Sequence, residues 1–159
     1  MGVWNATLGM FQIEFVIKKN SVPTGRIQYQ ILNDQTMYVS SDFLPESAQL
    51  IVKKSNFDGV GPVFTKIEKL SLVDKHSFGW LLYISDPING FESGEITVMG
   101  SMDNSIYNFY LNTTNLIGGD IYEGIWQIRM DLDPRTCVNQ NYTITYVRLL
   151  DSIGQKSIF

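Results

Sequence analysis

Apolar and polar residues alternate with a period of two along most of this chain, and no segment sustains the period of an amphipathic helix. Successive side chains of a strand point to opposite faces, so the pattern describes strands with one face in a core and one in water. Phe11, Ile13, Phe15 and Ile17 share one such face, Ile27, Tyr29 and Ile31 share another, and a third run covers Gln49 to Lys53. A stretch rich in turn residues, Asn56-Phe57-Asp58-Gly59-Val60-Gly61-Pro62, marks the best boundary in the chain.

Beyond it, strands recur at the roughly 8–12-residue spacing of β-sandwiches. The pattern predicts strands at Val63–Leu72, at Gly79–Ser85 with Trp80, Leu82 and Ile84 inward, and at Gly94–Met99 with Ile96 and Val98 inward. Ile106–Leu111 follows, with Tyr107, Phe109 and Leu111 aligned, then a short piece at Ile121-Tyr122. The strand Gly124–Leu132 puts Trp126, Ile128, Met130 and Leu132 on one side. A final hairpin joins Tyr142–Leu150 to Gln155–Phe159 through Asp151-Ser152-Ile153-Gly154. In its first strand Tyr142 and Ile144 fit one phase, Val147 and Leu149 the other. A bulge near Thr145–Tyr146 restores the alternation.

Composition agrees. Aromatic residues at 13% and charged residues at only 18% favour pleated, half-buried surfaces, and 44% apolar residues suffice for a core. A length of 159 residues suits one domain, or one domain and part of another. The net charge of −4 and the scattering of the 12 basic residues argue against nucleic acid and against an anionic membrane surface. No apolar run approaches the roughly 20 residues that span a bilayer, so no direct membrane insertion by this segment is expected. Met1 to Thr7 lacks the basic and apolar regions of a signal peptide. The lone Cys137 cannot form an internal disulfide; it reads as an inert residue, or as one paired with a cysteine outside this segment.

An internal echo bears on domain organisation. Gly9-Met10-Phe11-Gln12-Ile13-Glu14-Phe15 matches Gly124-Ile125-Trp126-Gln127-Ile128-Arg129-Met130, about one sandwich domain and a linker further on. By analogy, residues 1–59 are expected to be the C-terminal portion of a preceding sandwich and 60–159 a complete one, the whole being a fragment of a tandem array. Chance similarity of two amphipathic strands is the alternative.

Catalytic constellations do not emerge. His76, the single histidine, lies in a polar turn and reads as a surface residue, which leaves no histidine metal cluster and no triad beyond that one residue. Carboxylate pairs occur at Asp131/Asp133 and Glu92/Glu95; Asp131 and Asp133 end a strand before Pro134 and read as a solvated turn rather than a glycosidase pair. Asp86-Pro87-Ile88-Asn89-Gly90 and Asp131-Leu132-Asp133 each offer two or three oxygen side chains toward calcium, without EF-hand order. No enzyme, cofactor or metal is therefore expected. Asn5, Asn112 and Asn141 head Asn-x-Thr acceptors at strand ends or loops. They are candidate N-glycosylation sites, with unmodified loop asparagines the alternative. Tyr142, two residues before Ile144, stands where an immunoglobulin domain has its tyrosine corner, with Ile144 in place of a cysteine. Trp80 and Trp126 are the expected core anchors.

One ordered series is more specific. Gly79-Trp80-Leu81-Leu82-Tyr83-Ile84-Ser85-Asp86, Ser93-Gly94-Glu95-Ile96-Thr97-Val98, Asn115-Leu116-Ile117-Gly118-Gly119-Asp120 with Gly124-Ile125-Trp126, Gln140-Asn141-Tyr142-Thr143-Ile144 and Leu149-Leu150-Asp151-Ser152-Ile153-Gly154 follow one another. The series resembles the immunoglobulin-like repeat modules of social-amoeba (dictyostelid) cell-surface proteins, ComC-like and tiger-type, which often carry EGF-like repeats. The likeness covers about residues 62–159, and residues 9–58 more loosely. It implies an extracellular, cell-surface role in recognition or adhesion, although EGF-type cysteines and an anchor are missing here.

The sequence thus predicts an all-β chain: an immunoglobulin-like antiparallel β-sandwich preceded by part of a second. The expected function is non-catalytic recognition or adhesion through contacts with a protein on a neighbouring cell or with neighbouring modules. Loops Asp86–Phe91 and Asn112–Glu123 are the candidate contact loops. The alternatives are a carbohydrate-binding module, with Tyr107, Tyr110, Tyr122 and Tyr146 as a stacking platform if several share one face, and an accessory β-domain of a secreted enzyme.

Overall fold

The structure is a computed structural model that describes residues 2–32, 38–71, 77–133, 135 and 139–159. His76 and Cys137 lie outside the described residues. The chain divides into two compact units, Met1–Phe57 and Asp58–Phe159.

Among its described residues the first unit contains three two-stranded antiparallel ladders, β1 (Val3–Asn5) with β2 (Met10–Gln12), β3 (Gly25–Ile27) with β6 (Leu50–Val52), and β4 (Gln30–Leu32) with β5 (Tyr38–Ser40). Short 3-10 turns at Ser41–Phe43 and Glu46–Ala48 lead into β6. The run Phe11–Ile17 pairs only as far as Gln12, and the run around Tyr29 is broken between β3 and β4. Alternation gives each segment an apolar face, but a two-residue-period face is stabilised only when another layer covers it. Here Val16 is 91% and Phe43 86% exposed.

The second unit is built differently. Its strands are β7 (Val63–Ser71), β8 (Ser77–Ser85), β9 (Phe91–Gly100), β10 (Ile106–Asn112), β11 (Leu116–Gly119), β12 (Glu123–Asp131), β13 (Tyr142–Asp151) and β14 (Lys156–Ile158). They form two four-stranded sheets, β11-β12-β8-β7 and β10-β9-β13-β14, in which every pair is antiparallel. Lettered A, B, C, C′, D, E, F, G in chain order, the sheets read D-E-B-A and C′-C-F-G. That is the strand order of the immunoglobulin fold, with crossovers between the sheets rather than within them. The fold is an all-β, immunoglobulin-like sandwich.

The core lies between the inner faces. Leu82 and Ile84 from β8, Ile96 and Val98 from β9, Trp126, Ile128 and Met130 from β12, and Val147 and Leu149 from β13 are all buried. These are the alternating residues the sequence picked out. Trp126 is fully buried, its ring edge-on to Phe91 at 4.5 Å and its Nε1–H donating to the Asn112 carbonyl at 2.9 Å. Trp80 differs from the expectation: it packs on the border of the core beside Phe78 rather than inside it. Tyr142 and Ile144 pack there as well, Tyr142 with its ring 4.9 Å from Phe78 and its hydroxyl receiving Gln140 Nε2–H at 3.1 Å.

The expected bulge is present. Ile144 faces Val98 and Tyr146 faces Thr97, leaving Thr145 as the extra residue. The expected strand at Ile121-Tyr122 is not; that segment is a bend, and strand D is Leu116–Gly119 instead. The Asp120 carboxylate explains the bend, since it accepts from the backbone N–H groups of Tyr122 and Glu123 at 2.8 and 2.9 Å and turns the chain into β12.

Candidate functional site: a locked loop end and an open sheet face

Strand order brings the B–C, D–E and F–G connections to one end of the sandwich. Asp86 closes strand B, and its Oδ1 accepts from Asn89 N–H (2.9 Å) and Gly90 N–H (3.1 Å). Asn89 then donates from Nδ2 to Asp151 Oδ2 at 2.9 Å, across to the F–G hairpin. Asp151 Oδ1 accepts from Ile153 N–H and Gln155 N–H at 3.0 and 2.7 Å. Ser152 reaches back, donating from Oγ to the Asn89 carbonyl at 2.6 Å and from its N–H to the Gly90 carbonyl at 3.1 Å. Asp86 N–H and Phe91 N–H, each at 2.8 Å from the carbonyls of Tyr122 and Ile121, add the D–E connection. Asp86, Asn89 and Asp151 are all buried.

Buried carboxylates persist only when donors satisfy them. Three of the four oxygens here are taken by N–H groups, and Asp86 Oδ2 meets no donor among the described residues. Two carboxylates fall short of the six to eight oxygens calcium takes. Among the described residues there is no group of three or more His, Cys, Asp or Glu side chains placed to hold a metal. The network ties three connections together. It also changes the expectation for Asp86–Phe91 as an exposed contact loop, because within it only Pro87 and Ile88 are exposed. Asn112–Glu123 is largely exposed, as expected.

The outer face of the C′-C-F-G sheet is open. The register aligns Tyr110, Glu95, Arg148 and Ile158 in one row, Asn108, Thr97 and Tyr146 in the next, and Ile106, Met99 and Thr143 in a third. Arg148 and Glu95 pair at 3.5 Å, and Thr97 Oγ1–H donates to Asn108 Oδ1 at 3.0 Å. Met99, Ile106, Tyr110, Tyr146 and Ile158 are exposed around them. Of the four candidate platform tyrosines, two share an exposed face and two do not. Tyr110 and Tyr146 lie on this outer surface, Tyr107 points inward to Tyr142 (6.0 Å), and Tyr122 sits on the D–E bend.

The opposite sheet's outer face is occupied by its own polar contacts. Glu68 is held below the usual carboxylate range by hydrogen bonds from Lys66 and from Tyr83 (2.8 Å). Asp131 is lowered by Ser77 and then by Arg129, which bonds it at 2.7 Å. Asp131 and Asp133 are solvated side chains, as expected, the latter accepting from Arg135 N–H at 2.9 Å. Glu95 pairs with Arg148 at 3.5 Å, and Glu92 is exposed.

Of the acceptor asparagines, Asn112 and Asn141 are exposed and Asn5 is half-buried. Asn112 Oδ1 accepts from Thr114 N–H (2.8 Å) and Thr114 Oγ1–H (2.6 Å), which joins the acceptor and its threonine in one turn. Asn141 precedes β13, its backbone paired with Ser101. Asn5 turns the β1–β2 hairpin, accepting from Thr7 and Leu8 N–H at 3.1 Å while its Nδ2 donates to Gln12 at 3.0 Å. Sequence reading found these three positions. It marked Asp86 and Asn89 as oxygen side chains toward calcium but missed their link to Asp151, which emerges only once strands B, C, F and G are placed.

Fold and site define a class: an immunoglobulin-like sandwich with one end locked by a buried polar network and one sheet face open. Within that class, residues 57–159 match the model of the family described as Domain of unknown function (DUF7035), and the chain belongs to that family. The matched stretch coincides with the second unit. No curated protein and no solved structure matches the chain. No described helix is long and apolar enough to cross a membrane.

Proposed function

We propose that the second unit is a non-catalytic recognition module of an extracellular, cell-surface protein, and that it makes protein–protein contacts through the outer face of its C′-C-F-G sheet. The observation that carries this reading is the contrast between the two surfaces of the sandwich that a partner would meet. The loop end spends its polar groups on itself. The sheet face exposes Met99, Tyr146, Ile158 and Tyr110 around the Glu95–Arg148 pair, an apolar and aromatic centre with charge within it, as recognition surfaces have. The resemblance to social-amoeba surface modules and the exposure of Asn112 and Asn141 support the extracellular setting. A protein on a neighbouring cell, or a neighbouring module, is the partner class.

Secretion of the chain from a eukaryotic host behind an added signal peptide tests the setting. Intact mass before and after enzymatic glycan removal should fall by the mass of glycans at Asn112 and Asn141. Folded, secreted protein whose mass does not change would count against the extracellular assignment.

A further inference from the structure

Four strand edges bound the two sheets of the second unit, and three of them are guarded. Edge β7 carries Lys66, Glu68 and Lys69 and a bulge after Phe64. Edge β11 is four residues long, bulged, and ends in Gly118-Gly119. Edge β14 is three residues long and is covered by the chain at Gly61, where an added Cβ would fall 2.5 Å from the Lys156 carbonyl carbon. Charge, bulges, shortness and cover are the devices that keep sheet edges from pairing with other chains.

Edge β10 has none of them among the described residues. Ile106-Tyr107-Asn108-Phe109-Tyr110-Leu111-Asn112 holds seven residues in unbroken register with β9 and contains no charge, proline or glycine. Which of its backbone groups face outward follows from three bonds. Gly100 N–H donates to the Ser105 carbonyl at 2.9 Å, so odd-numbered residues bond to β9. Asn112 instead donates its N–H to Asn115 Oδ1 at 2.7 Å, and its carbonyl accepts from Trp126 Nε1 at 2.9 Å. Even-numbered residues therefore direct N–H and C=O away from β9, because neighbouring residues of a strand alternate in direction. Asn112 is satisfied within the fold. Among the described residues, the free edge is Ile106, Asn108 and Tyr110.

We propose that this edge pairs with the same edge of a second copy of this chain, antiparallel and centred on Asn108, so that two four-stranded sheets become one of eight. The register is dictated by the three free residues: Asn108 faces Asn108, and Ile106 faces Tyr110 twice. All six backbone groups on each side are then bonded. On the outer face the pairing sets Tyr110 (69% exposed) beside Ile106 (63% exposed), an aromatic–β-branched pair of the kind that stabilises sheets. On the inner face it sets Tyr107 beside Phe109. The edge carries no charge, so the overall charge of −4 places no like charges in the ladder. The contact is isologous and closes as a dimer rather than growing into a filament. Asn112 lies beyond the paired segment. The proposal goes beyond the recognition reading and does not depend on where the chain resides.

Sedimentation of the full chain tests it. The chain is expected to dimerise at concentrations up to about 100 µM, and Asn108→Lys, which sets two ammonium groups opposite each other, to weaken the dimer at least about tenfold. Replacing Asn108 by Cys in a chain whose Cys137 is Ser gives a second readout. A bonded antiparallel pair has Cα atoms about 5.5 Å apart, within disulfide reach, so Asn108→Cys should crosslink under mild oxidation and Ile106→Cys should not. A monomer at that concentration, a dimer indifferent to Asn108→Lys, or equal crosslinking at both positions would overturn the proposal. If Asn108→Lys fails to fold, the crosslinking comparison decides alone.

Discussion

Asp151→Asn is the sharpest test of the polar network. The side chain is fully buried and accepts three hydrogen bonds, two on Oδ1 from Ile153 and Gln155 and one on Oδ2 from Asn89. An asparagine keeps the two backbone bonds by turning its own NH₂ toward Asn89 Nδ2, donor against donor; if the Asn89 amide turns over to relieve this, its own NH₂ loses the acceptor it had on Asp151. The opposite orientation is worse, since it faces two backbone donors. One buried donor left without an acceptor costs about 1–3 kcal/mol. The two surviving bonds lose their ionic partner, and charge-assisted bonds are roughly twice as strong as neutral ones. Together these give about 3 kcal/mol. With a urea slope of about 1–3 kcal/mol per molar for a domain of this size, the midpoint of the second unit should fall by at least about 1 M. Far-UV circular dichroism, following the strands of that unit, reads it. Asn89→Ala removes the other end of the same bond, so the two substitutions should be non-additive by about 1 kcal/mol or more in a double-mutant cycle. An Asp151→Asn midpoint unchanged from the parent, or strict additivity, would refute the claim that this network clamps the loops.

Three other outcomes follow from the same structure. Gly79→Ala should destabilise the sandwich by about 3 kcal/mol or more in the same urea assay, because an added Cβ would lie 2.0 Å from the Ile128 carbonyl oxygen and force β8 from β12. Asp103 (held by Ser105, then Gln140), Asp120 (Glu123, then Tyr122) and Asp131 (Ser77, then Arg129) all sit below the ordinary value of 3.8. Their contribution is therefore present above that value and lost as pH falls through the folded values; thermal midpoints should drop between about pH 5 and pH 2, and Asp120→Asn should flatten the drop. Residues 60–159 alone should melt cooperatively in calorimetry, whereas residues 1–58, in which Val16 and Phe43 are exposed, should show no sharp transition.

Much of the sandwich was legible because burial on one face writes itself into alternate residues. Leu82, Ile84, Ile96, Val98, Trp126, Ile128 and Met130 form the core in the phase set by their alternation, and a phase slip between Ile144 and Val147 was enough to locate the bulge at Thr145. Alternation says less where neighbours decide. It does not tell that Trp80 lies at the border of the core, or that Ile121-Tyr122 bends under the Asp120 carboxylate while Leu116–Gly119 forms strand D. In the first unit it marks apolar faces at Phe11 and Ile31 without telling what covers them. The candidate site was less legible still. Asn89 and Asp151 are 62 residues apart, and nothing in the sequence links the oxygen-rich Asp86–Gly90 turn to the hairpin turn at Asp151 until the fold joins them. The three acceptor asparagines were found because their motif is contiguous.

Recognition through the open sheet face is the central claim, and multivalent binding tests it most directly. Fluorescent beads coated with the full chain should bind cells bearing the partner. Tyr146→Lys combined with Ile158→Lys should abolish that binding, because both residues lie on the outer face and on strands that do not pair with β10. Binding that survives the double substitution in folded protein would contradict the account.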